Sequence, residues 1–241
     1  MAVFFVTYSM KLLVKLCCGI CLLACSKANT GGSTIIPLPQ TGPLKTWLAL
    51  GDSYTIGQGV TEAERFAAQT ANRLLQSGIS IGTPDYIAAT GWTTDVLSNN
   101  IASQSPGNYN VVSLLIGVND QYQRHDTTGY RQRFTGLLLR AIQLANGKKE
   151  NVFVLSIPDY SVTPYAAGSD TARIRTELDW FNAINKNVTD AYQCPYLDIT
   201  GISREARYNS NLIAADGLHP SGLQYRYWAE KLAPLMRPVL Q

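Results

Sequence analysis

From residue 45 to the C-terminus, short and nearly continuous apolar runs alternate with longer stretches in which apolar residues recur every three or four positions. Unbroken short runs are the pattern of strands buried on both faces, whereas the longer recurrence marks helices that lay one face on a core. The runs at 46–50, 85–89, 111–116 and 152–157 predict strands, and a weaker one is predicted at 196–198. Between them the periodicity predicts helices over 63–76, 94–102, 130–145, 171–191 and 223–235. Ser77-Gly78 and Asn146-Gly147 supply helix stops, because Gly and Asn accept the left-handed conformation that ends a helix. No internal repeat is visible. Parallel strands joined by right-handed helical crossovers give an α/β fold, a three-layer α/β/α sandwich around a five-stranded parallel sheet. Ligands of such sheets bind beyond the carboxyl ends of the strands.

The N-terminal pattern is of another kind. Residues 12–24 are apolar except for Lys15, and the uncharged run behind Lys15 is far shorter than the roughly 20 residues of a membrane-spanning helix. A signal peptide over 1–24 fits better. Its end, Leu22-Leu23-Ala24-Cys25, resembles the lipobox of bacterial lipoprotein signals. That resemblance implies cleavage before Cys25, lipid on its sulfur and an acylated new N-terminus, so that the protein is held at a membrane in the bacterial cell envelope, on the outer-membrane or periplasmic side. Several acyl chains make a durable anchor where one would be marginal. Residues 1–9 carry no positive charge, and Met10-Lys11 is the better start for such a signal. Residues 26–43 are rich in Ser, Thr, Gly and Pro without periodicity. They read as a flexible tether over 25–44, leaving 45–241 as the folded domain.

Composition narrows the classes further. Of 241 residues 46% are hydrophobic, enough for a large core, and only 15% are charged, below the roughly 25% usual in soluble domains. The net charge is +3 and no basic stripe appears, which argues against nucleic acid as a partner. Cys17, Cys18, Cys21 and Cys25 crowd the N-terminus and Cys194 stands alone, a spacing that suits neither a disulfide framework nor a zinc site. No phosphate-binding Gly-Lys-Ser/Thr and no Gly-x-Gly-x-x-Gly after the first strand is present. The expected chemistry needs no cofactor and no metal.

Four segments map to one rim of the predicted sheet. Gly51-Asp52-Ser53-Tyr54 follows the first strand, Thr90-Gly91-Trp92-Thr93 the second and Gly117-Val118-Asn119-Asp120 the third, while Asp216-Gly217-Leu218-His219-Pro220 lies near the end of the chain. A serine hydroxyl is a poor nucleophile until a base accepts its proton, and histidine is the usual base near neutral pH. Only two histidines exist, and His219 stands three residues after Asp216, close enough in one turn for the carboxylate to orient the imidazole. In isolation, Asp216-Gly217 also reads as a turn before a proline, Gly91 as a turn glycine and Asn119 as a turn-forming residue. Together the four segments resemble the SGNH (GDSL-type) hydrolase family, over nearly all of 45–235. The resemblance implies a flavodoxin-like fold with Ser53 as nucleophile, His219 as general base and acid, and Asp216 as its orienting partner. It implies an oxyanion hole made by the backbone N–H groups of Ser53 and Gly91 and the side-chain amide of Asn119. Gly-x-Ser-x-Gly, the nucleophile elbow of the α/β-hydrolases, does not occur.

Two residues depart from or add to the pattern. Tyr54 replaces the leucine of the Gly-Asp-Ser-Leu signature, and Trp92 either lines an acyl pocket or packs on a helix. The resemblance implies hydrogen bonding rather than proton transfer for Asp52 and Asp120, and His125 reads as a loop residue. The long stretch 158–169 past the fourth strand is a place for substrate contacts through Tyr160 and Tyr165. Trp180 and Phe181, inside a predicted helix, read as core. The resulting expectation is a membrane-tethered serine esterase acting on short acyl or acetyl esters of carbohydrates, or on lysophospholipids, with no nucleic-acid partner. Two rivals are acyl transfer to an alcohol at the same site and a non-catalytic lipoprotein that binds glycans or lipids.

Overall fold

A computed structural model describes residues 41–241. The signal peptide, Met10, the lipobox and Cys25, with most of the tether, lie outside the described residues. In chain order the strands are β1 (Thr41–Lys45), β2 (Trp47–Gly51), β3 (Ile79–Ile81), β4 (Asp85–Ala88), β5 (Val111–Leu115), β6 (Val152–Leu155) and β7 (Tyr196–Leu197). The helices are α1 (Ser53–Ile56), α2 (Phe66–Gln76), α3 (Thr94–Gln104), α4 (Val118–Arg124), α5 (Tyr130–Leu144), α6 (Thr171–Ala191), α7 (Thr200–Arg204) and α8 (Gly222–Leu240). β4, β2, β5, β6 and β7 form one five-stranded sheet in that order, every pairing parallel. It is the three-layer α/β fold that the alternating pattern predicts.

The strand order creates the site. The chain leaves β2 outward to β4 and then returns across β2 to β5, so successive connections depart in opposite directions. At such a switch point the loops after neighbouring strands diverge and leave a crevice at the carboxyl edge. The register pairs Gly51 at the end of β2 with Ala88 and Leu115, so three strands end at one level and deliver their loops together.

Aromatic side chains anchor the helices to the sheet. Trp47 meets Phe66 of α2 edge-on at 6.4 Å and donates through Nε1 to Ser113 Oγ at 3.1 Å. Phe66 in turn packs against Tyr225 and Trp228, which locks α2 to α8. A second cluster, Tyr130 with Phe134 and Phe181, joins α5 to α6. All of these rings are fully buried, and each removes roughly 150–250 Å² from water.

Four details depart from expectation. Trp180 is not core: it is 55% exposed while Phe181 is buried, because adjacent helix positions point about 100° apart and only one meets the sheet. Residues 41–44, expected to be tether, belong to β1, which pairs in parallel with β3. The last helix runs past 235 to Leu240 through Pro234 and Pro238. An interior proline costs roughly 3 kcal/mol, but both prolines are on the solvent side while Leu232, Ala233, Met236 and Leu240 are buried and hold the last turns down. The second helix begins at Phe66 rather than 63, after a 3-10 turn over Glu62–Glu64 that is closed by a Thr61–Glu64 capping box. Cys194 is buried, which pushes its thiol up to about 11 and leaves it inert. No described helix is long and apolar enough to cross a membrane.

Candidate active site

Ser53 opens α1 directly beyond β2. Asp52, its N-cap, accepts the Tyr54 N–H at 3.0 Å, and Gly57 ends the helix in the left-handed conformation. The chain therefore turns within four residues and keeps Ser53 at the sheet edge. Tyr54, at the position that departs from the signature, is buried and sets its ring edge against His219 with centroids 5.5 Å apart. Tyr225 donates to the Tyr54 carbonyl at 3.0 Å. The substitution thus builds one wall of the histidine's seat.

His219 and Asp216 are close partners. His219 Nδ1 lies 2.7 Å from Asp216 Oδ2, and Asp216 Oδ1 accepts the backbone N–H groups of Leu218 and His219, each at 3.0 Å. Burial would raise the Asp216 carboxyl, but these bonds and the adjacent imidazole hold it below its ordinary range. An antiparallel bridge between Ile213 and Pro220 closes the loop that carries the pair. His219 and Ser53 line the same cleft of about 90 Å³, together with Asn119, Tyr122, Tyr160 and Tyr165. No hydrogen bond joins Ser53 Oγ to the His219 ring among the described residues, a looseness common before substrate binds.

The remaining positions divide. Asn119 Nδ2 donates to the Trp92 carbonyl at 3.0 Å, so one amide hydrogen is used to fix the side chain and the other is free for a ligand. Gly91 is exposed on the neighbouring loop at φ +83°, and its carbonyl accepts from Gln123 Nε2 at 3.3 Å. Among the described residues the backbone N–H groups of Ser53 and Gly91 have no acceptor. Trp92 does not line the cleft: its side chain is half-buried against the core. Tyr160 and Tyr165 do line it, and Tyr122, which the sequence did not single out, joins them. Its signal was spacing, since it stands one helical turn after Asn119.

Two buried carboxylates support the rim without entering it. Asp120 accepts from Thr94 N and Oγ1, from Arg124 and from Arg133. Asp52 is fully buried with Oδ2 unpartnered, and burial pushes it up to about 8. Among the described residues no group of His, Cys, Asp and Glu is arranged to hold a metal ion.

Residues 49–227 match the GDSL-like lipase/acylhydrolase family. The chain belongs to it. The match embraces Ser53, Gly91, Asn119, Asp216 and His219. Among solved structures, this family member is similar in fold to TesA, with 18% identity over 81% of this chain and 100% of TesA and a TM-score of 0.61. A lipase/acylhydrolase from Enterococcus faecalis gives 17% identity over 82% of this chain and 97% of that one, with a TM-score of 0.61. Axe2, an acetylxylan esterase from Geobacillus stearothermophilus, gives 18% identity over 83% and 96%, with a TM-score of 0.58. No curated protein sequence matches.

Proposed function

We propose that the protein is a serine esterase that hydrolyses carboxylic esters through an acyl-enzyme, with Ser53, His219 and Asp216 as its triad. The observation that carries this reading is the 2.7 Å contact between His219 and Asp216 in the cleft that Ser53 also lines. Asp216 accepts the Nδ1 proton and so leaves Nε2 as the basic nitrogen of the ring. Nε2 takes the Ser53 Oγ proton as Oγ attacks the ester carbonyl. The oxyanion that forms is met by the N–H groups of Ser53 and Gly91 and by the free amide hydrogen of Asn119, each donor worth roughly 3 kcal/mol to the transition state. As the intermediate collapses, His219 returns the proton to the departing alcohol. A water then releases the acid by the same steps in reverse.

The cleft is small and walled by Tyr54 and three further tyrosines, which suits short acyl groups. Membership of a lipase/acylhydrolase family supports ester hydrolysis, and the narrowness of the cleft is what favours acetyl or other short esters. The test is hydrolysis of p-nitrophenyl acetate and longer p-nitrophenyl esters, with lysophosphatidylcholine alongside. Turnover that falls with acyl length, together with fluorophosphonate labelling lost in Ser53→Ala, is the expected result. Undiminished turnover in Ser53→Ala overturns the reading.

We also propose that Cys25 carries lipid and holds the enzyme at the cell envelope, on the strength of Leu22-Leu23-Ala24-Cys25 behind an apolar run. Palmitate incorporation in cells expressing the full chain should disappear in Cys25→Ala. Equal labelling of the two dismisses the anchor.

A further inference from the structure

Three of the four tyrosines that line the reaction cleft also line a second groove beside it. That groove encloses about 500 Å³ and continues past Tyr122, Tyr160 and Tyr165 to His125, Arg173 and Glu177. Its volume lies within the range of typical ligand pockets, roughly 300–1,000 Å³. The ring centroids stand 6.4, 6.4 and 6.5 Å apart. Tyr122 and Tyr165 are each 49% exposed, while Tyr160, at 5%, backs them. A hydrogen bond of 2.9 Å between the Tyr122 and Tyr165 hydroxyls holds the two exposed rings in place, so the platform needs no ligand to order it.

Behind the rings runs a polar chain. Tyr160 Oη donates to Gln121 Oε1 at 3.0 Å, Gln121 Nε2 donates to Glu177 Oε2 at 2.7 Å, and Arg173 Nε donates to Glu177 Oε1 at 2.6 Å. His125 Nδ1 lies 3.1 Å from Glu177 Oε2. Burial pushes the Glu177 carboxyl up, but bonds from Gln121, Arg173 and His125 outweigh it and hold the group below its ordinary range. The charges in the groove largely cancel. Arg173 is matched by Glu177, and Asp170, which caps α6 by accepting the Arg173 N–H at 3.0 Å, adds a further carboxylate. There is no surplus of positive charge for a phosphate, and an alkyl chain laid here would strip water from charged groups without replacing it. A neutral polyhydroxylated ring satisfies both surfaces, its C–H face on the tyrosines and its hydroxyls on the arginine, carboxylate and imidazole.

We propose that this groove binds the alcohol half of the substrate and that this half is a neutral oligosaccharide, with the acylated ring against Tyr165 and its neighbours running toward Arg173. Assigning the sugar as the alcohol half rests on the esterase reading, whereas binding of the sugar itself does not. The first measurement is calorimetric titration of the full chain with unacylated xylotriose, cellotriose and chitotriose. At least one is expected to bind, and Tyr165→Ala or Arg173→Ala to weaken it by about tenfold or more. The second is the ratio of kcat/KM on acetylated xylotriose to that on p-nitrophenyl acetate, which should fall by about tenfold in the same variants. Because the Tyr165 side chain is exposed, unchanged circular dichroism and melting should accompany the loss in Tyr165→Ala, whereas Arg173→Ala also removes a bond from the buried Glu177 and should lower the melting temperature with circular dichroism unchanged. If none of the three sugars binds, or if the ratio is unmoved, the proposal is overturned. A selective loss on lysophosphatidylcholine instead would assign the groove to a lipid headgroup and overturn it too. Should Ser53→Ala retain full turnover while sugar binding and its dependence on Tyr165 persist, the esterase reading fails and the sugar site stands.

Discussion

Asp120 Oδ2 accepts the Thr94 backbone N–H at 2.8 Å while Oδ1 accepts the Thr94 hydroxyl at 2.7 Å. One residue back along α4, Asn119 is bonded to the Trp92 carbonyl, two residues before Thr94. These adjacent contacts staple the loop after β4 to the loop after β5, the two loops that carry Gly91 and Asn119. Arg124 and Arg133 complete the carboxylate's shell at 3.1 and 3.3 Å.

Asp120→Ala should therefore injure both fold and rate. It strands the buried Thr94 N–H and hydroxyl, which have no other acceptor, at about 1–3 kcal/mol for an unsatisfied buried donor, while Arg124 and Arg133 keep Asp95. Urea unfolding should show that loss. In protein still folded at low temperature, kcat for p-nitrophenyl acetate should drop while KM moves only a few-fold, since the oxyanion donors shift and the cleft does not. Unchanged kcat in the folded variant would separate Asp120 from the site.

Asp52 makes a prediction about pH. Its carboxyl is pushed from 3.8 to about 8 by burial, so the folded protein binds a proton that the unfolded chain has released. Where the folded state holds more protons, stability falls as pH rises. This group therefore favours folding fully below pH 4, and its contribution declines steadily from there to about pH 8. Asp52→Asn keeps the oxygen that accepts from Tyr54 N but cannot ionise. Guanidinium midpoints should fall less between pH 5 and 9 in Asp52→Asn than in wild type. Parallel slopes would mean that Asp52 is already ionised at neutral pH.

The sheet and its principal helices were legible because their signals are local: buried runs such as 111–116 for β5, and apolar recurrence over 171–191 for α6. The rim was legible as four short motifs, each at a strand end or in the last loop. What escaped depends on contacts distant in sequence. β1 exists only through its pairing with β3, and Trp180 and Phe181 differ only in which one the sheet covers. Glu177 gives no sign in sequence of its bonds to Gln121 and His125, which lie 56 and 52 residues away. The last helix, expected to end at 235, runs on to Leu240 because burial of Met236 and Leu240 holds its final turn down.

Two glycines of the rim should lose stability on alanine substitution to clearly different extents. At Gly117 the backbone has φ +124°, and a Cβ would sit 2.1 Å from the Tyr130 hydroxyl and 2.9 Å from Ile157 Cδ1. Tyr130 is buried and bonded to Asn185 at 2.9 Å, so it cannot yield without breaking that bond. Gly117→Ala should lower stability by about 3 kcal/mol or more, from strain and clash together. Gly91, at φ +83°, would place a Cβ in open space. Its alanine variant should cost only the backbone strain, about 1–2 kcal/mol. Thermal melts of the two variants check the contrast, and equal losses would refute it.

Asp216→Asn tests the triad with little disturbance of the fold. Oδ1 accepts two backbone N–H groups and can remain an oxygen, which places the new amide nitrogen opposite His219 Nδ1 in place of Oδ2. An N–H donor there forces Nδ1 to accept, so the ring's proton moves to Nε2, the nitrogen that must take the Ser53 proton. The histidine then has the wrong tautomer for a base. The analogous change in other Ser-His-Asp enzymes lowers kcat by about 10⁴, and a loss of about 10³–10⁴ is expected here. The Asp216 side chain is about one-third exposed and its backbone bonds survive, so the melting temperature should move little. Fluorophosphonate labelling of Ser53 should slow in proportion to kcat. Full activity in Asp216→Asn would mean that His219 is oriented by something other than this carboxylate.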